Sequence, residues 1–497
     1  MSLHYPVLLV TVPLLSAFII SGLSWVKKSL CFPMALLALG TSVFCAVGLL
    51  FRVLDLGIVE YHLGGWMPPW GIAYRVDLLN SLILVAVSSV AFLNLFATHK
   101  TVQRDLPEKK GLFYALYVLF VTGLMGITVT GDVFNLYVLL EIASLTAYAL
   151  IALGDPDRAP LASLNYVFIG TIGACFYLLG IGYLYIMTGS LNMADISSLL
   201  PSIYHSKAVL VAFIFCMVGI FIKMAFFPLH AWLPNAYAFA PDAAGSVIAP
   251  LMTKVMVYVM IRLIFSVFLP DFTFHVLHVD HAIVWLACLA IVMGSLLALA
   301  QRNLKKMLTY IIVSEIGYMV GGVWLGNRLG MSGAILHILN DAIMTLCLFL
   351  AAGAIAYKTQ GLGFQHLKGL FRKMPVTMAA FVAAGLSVIG VPPTCGFFSK
   401  WYLISGAIQA GQYGFMAALL FSSLINVVLF FRVIEIAYYE PMHPNHDSLP
   451  QKNVIEEAPL SMLIPLLIVA VSLLVVGIYS GAIVNHMIVP VLPKGIG

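Results

Sequence analysis

The chain has 497 residues, of which 62% are hydrophobic and only 9% charged, and its mean hydropathy is +1.04. A soluble domain carries roughly a quarter charged residues, so a soluble globular protein, a disordered chain and a nucleic-acid binder are excluded. The apolar runs are long and continuous rather than alternating, which also excludes a membrane β-barrel and leaves an all-α polytopic membrane protein. The net charge of +5 is then expected as basic loops on one membrane face.

A spanning helix needs about 20 mostly apolar residues. Such runs fall at 5–26, 30–51, 79–98, 112–130, 132–153, 162–189, 207–227, 243–267, 281–300, 307–326, 330–356, 376–410, 411–439 and 459–481, fourteen in all. The start, MSLHYPVLLV, has no basic region ahead of its apolar run, so this run is expected to stay as a helix. Segment 52–78, with Gly64-Gly65 and Pro68-Pro69, reads as a hairpin-like loop. The twelfth run is too long for one simple helix and carries Pro392-Pro393 in its middle, which predicts a broken helix. Segment 440–458 reads as a polar linker before the last span. All seven cysteines lie in apolar segments and read as small core residues.

With the N-terminus placed outside, fifteen Lys and Arg fall in cytoplasmic loops and five on the outer face. That bias predicts both termini on the outer side of the cell (inner) membrane. The expected organisation is one transmembrane domain over 1–497. Three helices occupy 1–110, a first repeat 111–267, a second 281–439, and a linker with the last helix 440–497.

Charges in the middle of spans carry the functional signal, because each costs about 3 kcal/mol at the bilayer centre. Glu141, Lys223, Lys254, Glu315, His337, Asp341 and Lys400 all lie inside apolar runs. His337 and Asp341 are four apart and share a helix face. These residues could be static salt bridges holding helices together. The imbalance of three lysines against few nearby acids favours a proton relay instead. Burial disfavours the charged form of a lysine and a neighbouring carboxylate restores it, so a moving charge can drive proton uptake and release.

Prolines sit beside two of these lysines. Pro228 and Pro234 flank PLHAWLP just after Lys223, and Pro392-Pro393 precede Lys400. Backbone groups freed by a break in a membrane helix must line water or be capped by protein, so breaks next to buried lysines predict hydrated half-channels. Spans 4–8 and 9–13 each carry acids followed by a broken lysine helix. Five is odd, so the two halves are predicted to be inverted relative to each other.

Four motifs carry a family resemblance: GDVFNLYVLLEIASLTAYALIALG, FIKMAFFPLHAWLPNAYAFAPDAAGSVIAPLMTK, QRNLKKMLTYIIVSEIGYM and GVPPTCGFFSKWYL. They resemble the antiporter-like subunits shared by respiratory complex I, Mrp-type cation/proton antiporters and membrane-bound hydrogenases, and the D-type subunit of Mrp antiporters most of all. The resemblance implies fourteen helices with two inverted five-helix repeats and breaks in helices 7 and 12. It implies that Glu141 pairs with Lys223, that Lys254 links two half-channels, that His337 follows, and that Lys400 is the exit-side group. It places His230 at the break, in proton entry or helix geometry. Asp341 and Thr345 stand where several members have histidine and lysine, and Glu315 where many have glutamine. Asp341 and Glu315 are therefore expected to form an alternative partner set around Lys400 and His337.

The function expected is proton translocation along this Glu/Lys/His relay within a multi-subunit Na+/H+ antiporter. The alternative is an ion-pumping membrane subunit of a redox-driven complex, and a third reading is a structural scaffold. Transport rather than covalent catalysis is expected, with the chain part of a translocase if the complex is redox-driven. No cofactor and no metal site is expected. The expected partners are other membrane subunits, lipid, H+ and possibly Na+, with no nucleic acid. His275, His278 and His281 read as a His-rich outer loop, with a metal or pH site the weaker alternative. Arg432 and Glu435 read as a local or subunit-contact pair near the inner face.

Overall fold

The structure is a computed structural model that describes residues 4–439 and 455–493. The chain opens with α1 (Tyr5–Val26) and α2 (Cys31–Leu56), then the hairpin β1 (Val59–His62) and β2 (Ala73–Val76), then α3 (Leu78–Asp105). The first repeat runs through α4 (Lys110–Val129), α5 (Val133–Ala152), α6 (Ala159–Thr188), α7 (Met193–Leu199), α8 (Lys207–Lys223), α9 (Leu233–Phe239) and α10 (Asp242–Ser266). The second comprises α11 (Asp280–Leu299), α12 (Leu304–Trp324), α13 (Arg328–Thr359), α14 (Leu370–Lys373), α15 (Pro375–Ile389), α16 (Cys395–Gln409) and α17 (Tyr413–Tyr439). The last span is α18 (Leu460–Ile483). The chain is an all-α polytopic membrane protein.

Among the described residues, twelve helices are long and apolar enough to cross a membrane. The two spans this count leaves out are the broken ones: α8, 17 residues long, continued by α9, and α15 with α16, 15 residues each. Twelve and two make the fourteen read from the sequence. The seventh helix stops at Lys223 rather than near 227, because Ala225 takes a φ of +60° that a right-handed helix cannot hold. The twelfth breaks at Gly390, with a φ of +93°, a value that glycine adopts without steric cost. The 52–78 loop is an antiparallel hairpin pairing Val59 with Val76. The expected linker at 440–458 falls largely outside the described residues.

The inversion is visible in backbone detail. Asp132 and Asn303, which cap α5 and α12, share φ −125° and ψ 128°. Around the first, the N–H of Val133 donates to Leu191 O at 2.9 Å and that of Met193 to Gly131 O at 2.9 Å. Around the second, Leu304 donates to Leu362 O at 2.8 Å and Phe364 to Arg302 O at 3.1 Å. The same loop-to-loop clasp thus joins the start of α5 to the end of α6 and the start of α12 to the end of α13. α12 is the fifth span after α5, so the two helices run in opposite directions and the two clasps lie on opposite faces.

Burial sorts the helices into layers. The apolar stretch of α10 is wholly buried, and α12 and α13 are nearly so. By contrast α1, α2, α6, α11, α17 and α18 expose rows of Leu, Ile and Phe, as lipid-facing helices must. Helices meet closely where small residues allow it; a Cβ at Gly219 on α8 would lie 2.6 Å from the Gly173 carbonyl oxygen on α6. Six of the seven cysteines are buried as expected, but Cys175 is exposed on the outward side of α6. The periodicity of a helix with both lipid and protein contacts is too weak to distinguish those faces, since both are apolar.

Candidate functional site: a buried file of charges

The first cluster lies where α8 ends. Lys223 Nζ sits 3.0 Å from Glu141 Oε1 and donates to Ser144 Oγ at 2.9 Å, with the Tyr148 hydroxyl at 3.5 Å. Glu141, Ser144 and Tyr148 recur on one face of α5 at helical spacing. Lys223 is fully buried while the Glu141 side chain keeps 23% exposure, so the pair links the interior of the bundle to its surface. His230 lies in the break, its ring stacked on Phe227. Its buried Nδ1 has no protein partner among the described residues. Pro228 follows the positive-φ turn, and Pro234 lies within the first turn of α9, where its missing N–H costs little.

The second cluster is central. Lys254, on α10, lies 2.9 Å from Asp341 Oδ2 on α13 and donates to Ala249 O at 3.2 Å. Thr345 donates to Asp341 Oδ1 at 2.7 Å, so the Asp341 carboxylate is held from both sides. Both members are at most 3% exposed. This pair joins the two repeats.

The third cluster is a carboxylate–imidazole–hydroxyl series. His337 Nε2 is 2.5 Å from Glu315 Oε2 and its Nδ1 is 2.8 Å from Ser399 Oγ. The ring is therefore bonded on both nitrogens, to a carboxylate on one side and a hydroxyl on the other. Ser399 is the residue before Lys400 on α16. Lys400 itself donates to Val388 O at 2.6 Å and Ser423 Oγ at 3.1 Å, and its Nζ lies 5.0 Å from the centre of the Tyr318 ring.

The site residues named from the sequence thus form three contiguous groups, with one difference in pairing. Within the set expected around Lys400 and His337, Glu315 holds His337, while Asp341 pairs with Lys254; neither carboxylate hydrogen-bonds Lys400, although both lie near enough to act on its charge. Lys400 relies on carbonyls that the helix break releases. The hydroxyl partners Ser144, Thr345, Ser399 and Ser423 are invisible to a search for charges, since serine and threonine are common in membrane helices.

Two further ion pairs are not foreshadowed by the sequence. Lys305, expected in a cytoplasmic loop, is buried at 5% exposure and binds Asp242 Oδ1 at 2.7 Å. Arg262 makes two contacts to Asp77, at 2.7 and 3.0 Å. The spacing of Lys254, Tyr258 and Arg262, four apart on α10, was the available signal. Elsewhere, His281 Nδ1 faces Gln412, and no group of three His, Cys, Asp or Glu side chains suited to a metal ion occurs among the described residues. Arg432 stacks over the Phe364 ring, 4.9 Å from its centre.

A family profile described as NADH:quinone oxidoreductase/Mrp antiporter, transmembrane, matches residues 130–426, which contain every member of the three clusters. The chain belongs to this family. It is 42% identical to the NADH-quinone oxidoreductase N subunit of Desulforudis audaxviator, over 99% of each chain. It is 32% identical to the Na(+)/H(+) antiporter D subunit of Alkalihalophilus pseudofirmus, over 80% of this chain and 81% of that one. Among solved structures it resembles a chain of an archaeal membrane-bound sulfane sulfur reductase, a respiratory membrane complex, with a TM-score of 0.89 and 28% identity. That match covers 98% of this chain and 96% of the other.

Proposed function

We propose that this family member is the proton-translocating membrane subunit of a multi-subunit complex, and that protons move along Glu141, Lys223, Lys254, His337 and Lys400. The observation that supports this most is a buried ion pair or carboxylate–imidazole contact in each half, with Lys254–Asp341 joining a helix of one half to a helix of the other. When the Glu141–Lys223 pair is closed, the carboxylate keeps the lysine charged. When it opens, the desolvated ammonium passes its proton toward Lys254. The proton then continues by His337, whose two nitrogens are already engaged, to Lys400. Each move changes the electrostatics of the next group, so the sites titrate as a coupled set. Asp341 sets the charge of Lys254, Glu315 orients His337, and His230 governs entry at the break.

Two drivers fit this relay. A cation flux would make the complex an Mrp-type antiporter, in keeping with the relatedness to an antiporter D subunit. Electron transfer in partner subunits would make it a respiratory pump, in keeping with the full-length relatedness to a quinone oxidoreductase subunit. The proposed setting is the cell membrane, with both termini outside.

The test uses the complete complex in vesicles, with proton movement followed under a sodium gradient or under electron-donor oxidation. Sodium-driven exchange identifies the antiporter, and donor-driven pumping the respiratory complex. In either case Lys223→Ala is expected to abolish proton movement while the complex still assembles. Undiminished transport by that variant overturns the relay.

A further inference from the structure

α10 carries three charged side chains along one buried rod, each paired to a different part of the fold. Asp242 at its start meets Lys305, Lys254 in its middle meets Asp341, and Arg262 near its end meets Asp77. The relay proposed above uses only the middle pair. At each end of the rod there is open space. A water-sized cavity is lined by Asp242 and Ser246 at one end. At the other lies a cavity of about 360 Å³ lined by Glu60, His62, Arg75, Asp195, Arg262 and Ser266. This larger cavity sits on the face that bears the β1–β2 hairpin, above the start of α5.

Lys254, Tyr258 and Arg262 follow one another at four-residue spacing, so they stack along one side of the helix. About 12 Å of helix separates Lys254 from Arg262. The intervening Tyr258 hydroxyl donates to Thr128 O at 2.9 Å and receives Arg262 Nε at 3.1 Å. Arg262 is then clamped by both oxygens of Asp77 and by Ser266. Asp77 also caps α3, accepting the Asn80 N–H at 3.1 Å. Its side chain retains 16% exposure against 10% for Arg262. The bidentate clamp is thus a fixed charge pair seated between the buried rod and the cavity floor. A fixed cation in such a constriction repels protons and other cations.

We propose that the Asp77–Arg262 ion pair is a gate, closing a second route by which Lys254 exchanges protons with the cavity on the hairpin face. When the clamp opens, the Lys254 ammonium gives up one proton and becomes a neutral amine. The Tyr258 oxygen accepts that proton through an intervening water while its own O–H proton passes on to a water entering from the cavity. The hydronium so formed leaves by the cavity, and the Asp77 carboxylate closes again on Arg262. The net change is one proton moved from the rod to that face. The first half of the molecule therefore has its own outlet, separate from the Lys400 end.

This inference rests on the relay reading for Lys254, and the test separates the two. The complete complex is reconstituted in liposomes enclosing a pH-sensitive dye, and proton entry is driven by a potassium diffusion potential with no cation gradient or electron donor. Asp77→Asn keeps a residue that caps a helix well while removing the gating charge. It is expected to raise passive proton entry several-fold over wild type, and adding Lys254→Met is expected to return entry to the wild-type level. An assembled Asp77→Asn complex as proton-tight as wild type overturns the gate, as does a leak that survives Lys254→Met. Should Asp77→Asn fail to assemble, Arg262→Lys, which retains charge but loses the two-pronged clamp, is read by the same two criteria. Failure of the relay itself appears elsewhere, as driven transport retained by Lys223→Ala.

Discussion

The two halves of the molecule break a helix in the same way and use the break differently. In α8, Ala225 turns the chain and Pro228 follows three residues later; after α15, Gly390 turns it and Pro393 follows three residues later. Superposed on that turn, Trp232 corresponds to Phe397 and Lys223 to Val388. In the first half the Ile222 carbonyl accepts the Ala225 N–H at 3.1 Å and the Trp232 Nε1–H at 3.1 Å, and Lys223 is bound to Glu141. In the second half a phenylalanine can donate nothing, and Lys400, on the far side of the break, reaches back to the Val388 carbonyl. One lysine is thus held by a carboxylate that can let go, and the other by backbone that cannot ionise. The first is built to switch; the second is built to receive.

That contrast is sharpest in transport. Glu141→Gln leaves a hydrogen-bonding side chain beside Lys223 but removes the charge that holds its proton, and it is expected to stop driven proton movement altogether. Lys400→Gln can still bond a carbonyl through its amide N–H and is expected to slow transport more than it disturbs assembly. Initial rates in vesicles carrying the complete complex check both. Equal losses from the two variants would break the distinction between a switching and a receiving lysine.

The bridge between the halves separates function from stability. Removing one member of a buried ion pair leaves the other uncompensated, at a cost of about 3–5 kcal/mol, whereas replacing both with apolar residues is often neutral. Lys254→Met alone is therefore expected to lower the unfolding midpoint in detergent. The double variant Lys254→Met/Asp341→Leu should recover that stability without recovering transport. A double variant that transports normally would mean that the pair only holds helices together.

How much of this was legible in the sequence follows from the physics of each feature. The spans, the hairpin and both breaks were readable because apolar length and proline chemistry act locally. Glu141, Lys223, Lys254 and His337 were conspicuous because a charge in a membrane helix is costly enough to need a reason. Of the pairings, only Glu141–Lys223 was legible, through the family resemblance; Asp341 lies four residues from His337 on α13 yet its carboxylate reaches α10, a choice made by helix rotation. Lys305 counts as a cytoplasmic-loop residue by its position between runs, and Arg262 lies near a span end, where a long side chain usually snorkels to the interface; here helix packing buries both.

A smaller effect tests the capping contrast directly. Trp232→Phe makes the first break resemble the second and removes one of the donors to the Ile222 carbonyl, the Ala225 N–H at 3.1 Å remaining, at a cost of about 0.5–1.5 kcal/mol. Phe397→Trp is the converse exchange: by the same superposition its indole faces the Ser387 carbonyl, not the Val388 oxygen that Lys400 occupies, and it should leave the Lys400 contact undisturbed. Thermal unfolding of the two variants should show destabilisation in the first through the lost cap. If Trp232→Phe unfolds as wild type does, the indole bond does not stabilise the break.

The smallest effect lies at the membrane face. Glu60 and Arg75 face each other across the hairpin at 3.7 Å, with side chains 52% and 38% exposed. Water screens such a pair, so Glu60→Gln is expected to change stability by less than about 1 kcal/mol. Its interest is the contrast with Asp77–Arg262, which is bidentate and sits a few residues further into the fold. Both pairs border the same cavity, but only the inner one is buried enough for its charge to act across the constriction. Glu60→Gln should therefore leave passive proton entry unchanged in the liposome measurement that Asp77→Asn alters. A leak of equal size from Glu60→Gln would place the barrier at the cavity mouth instead of its floor.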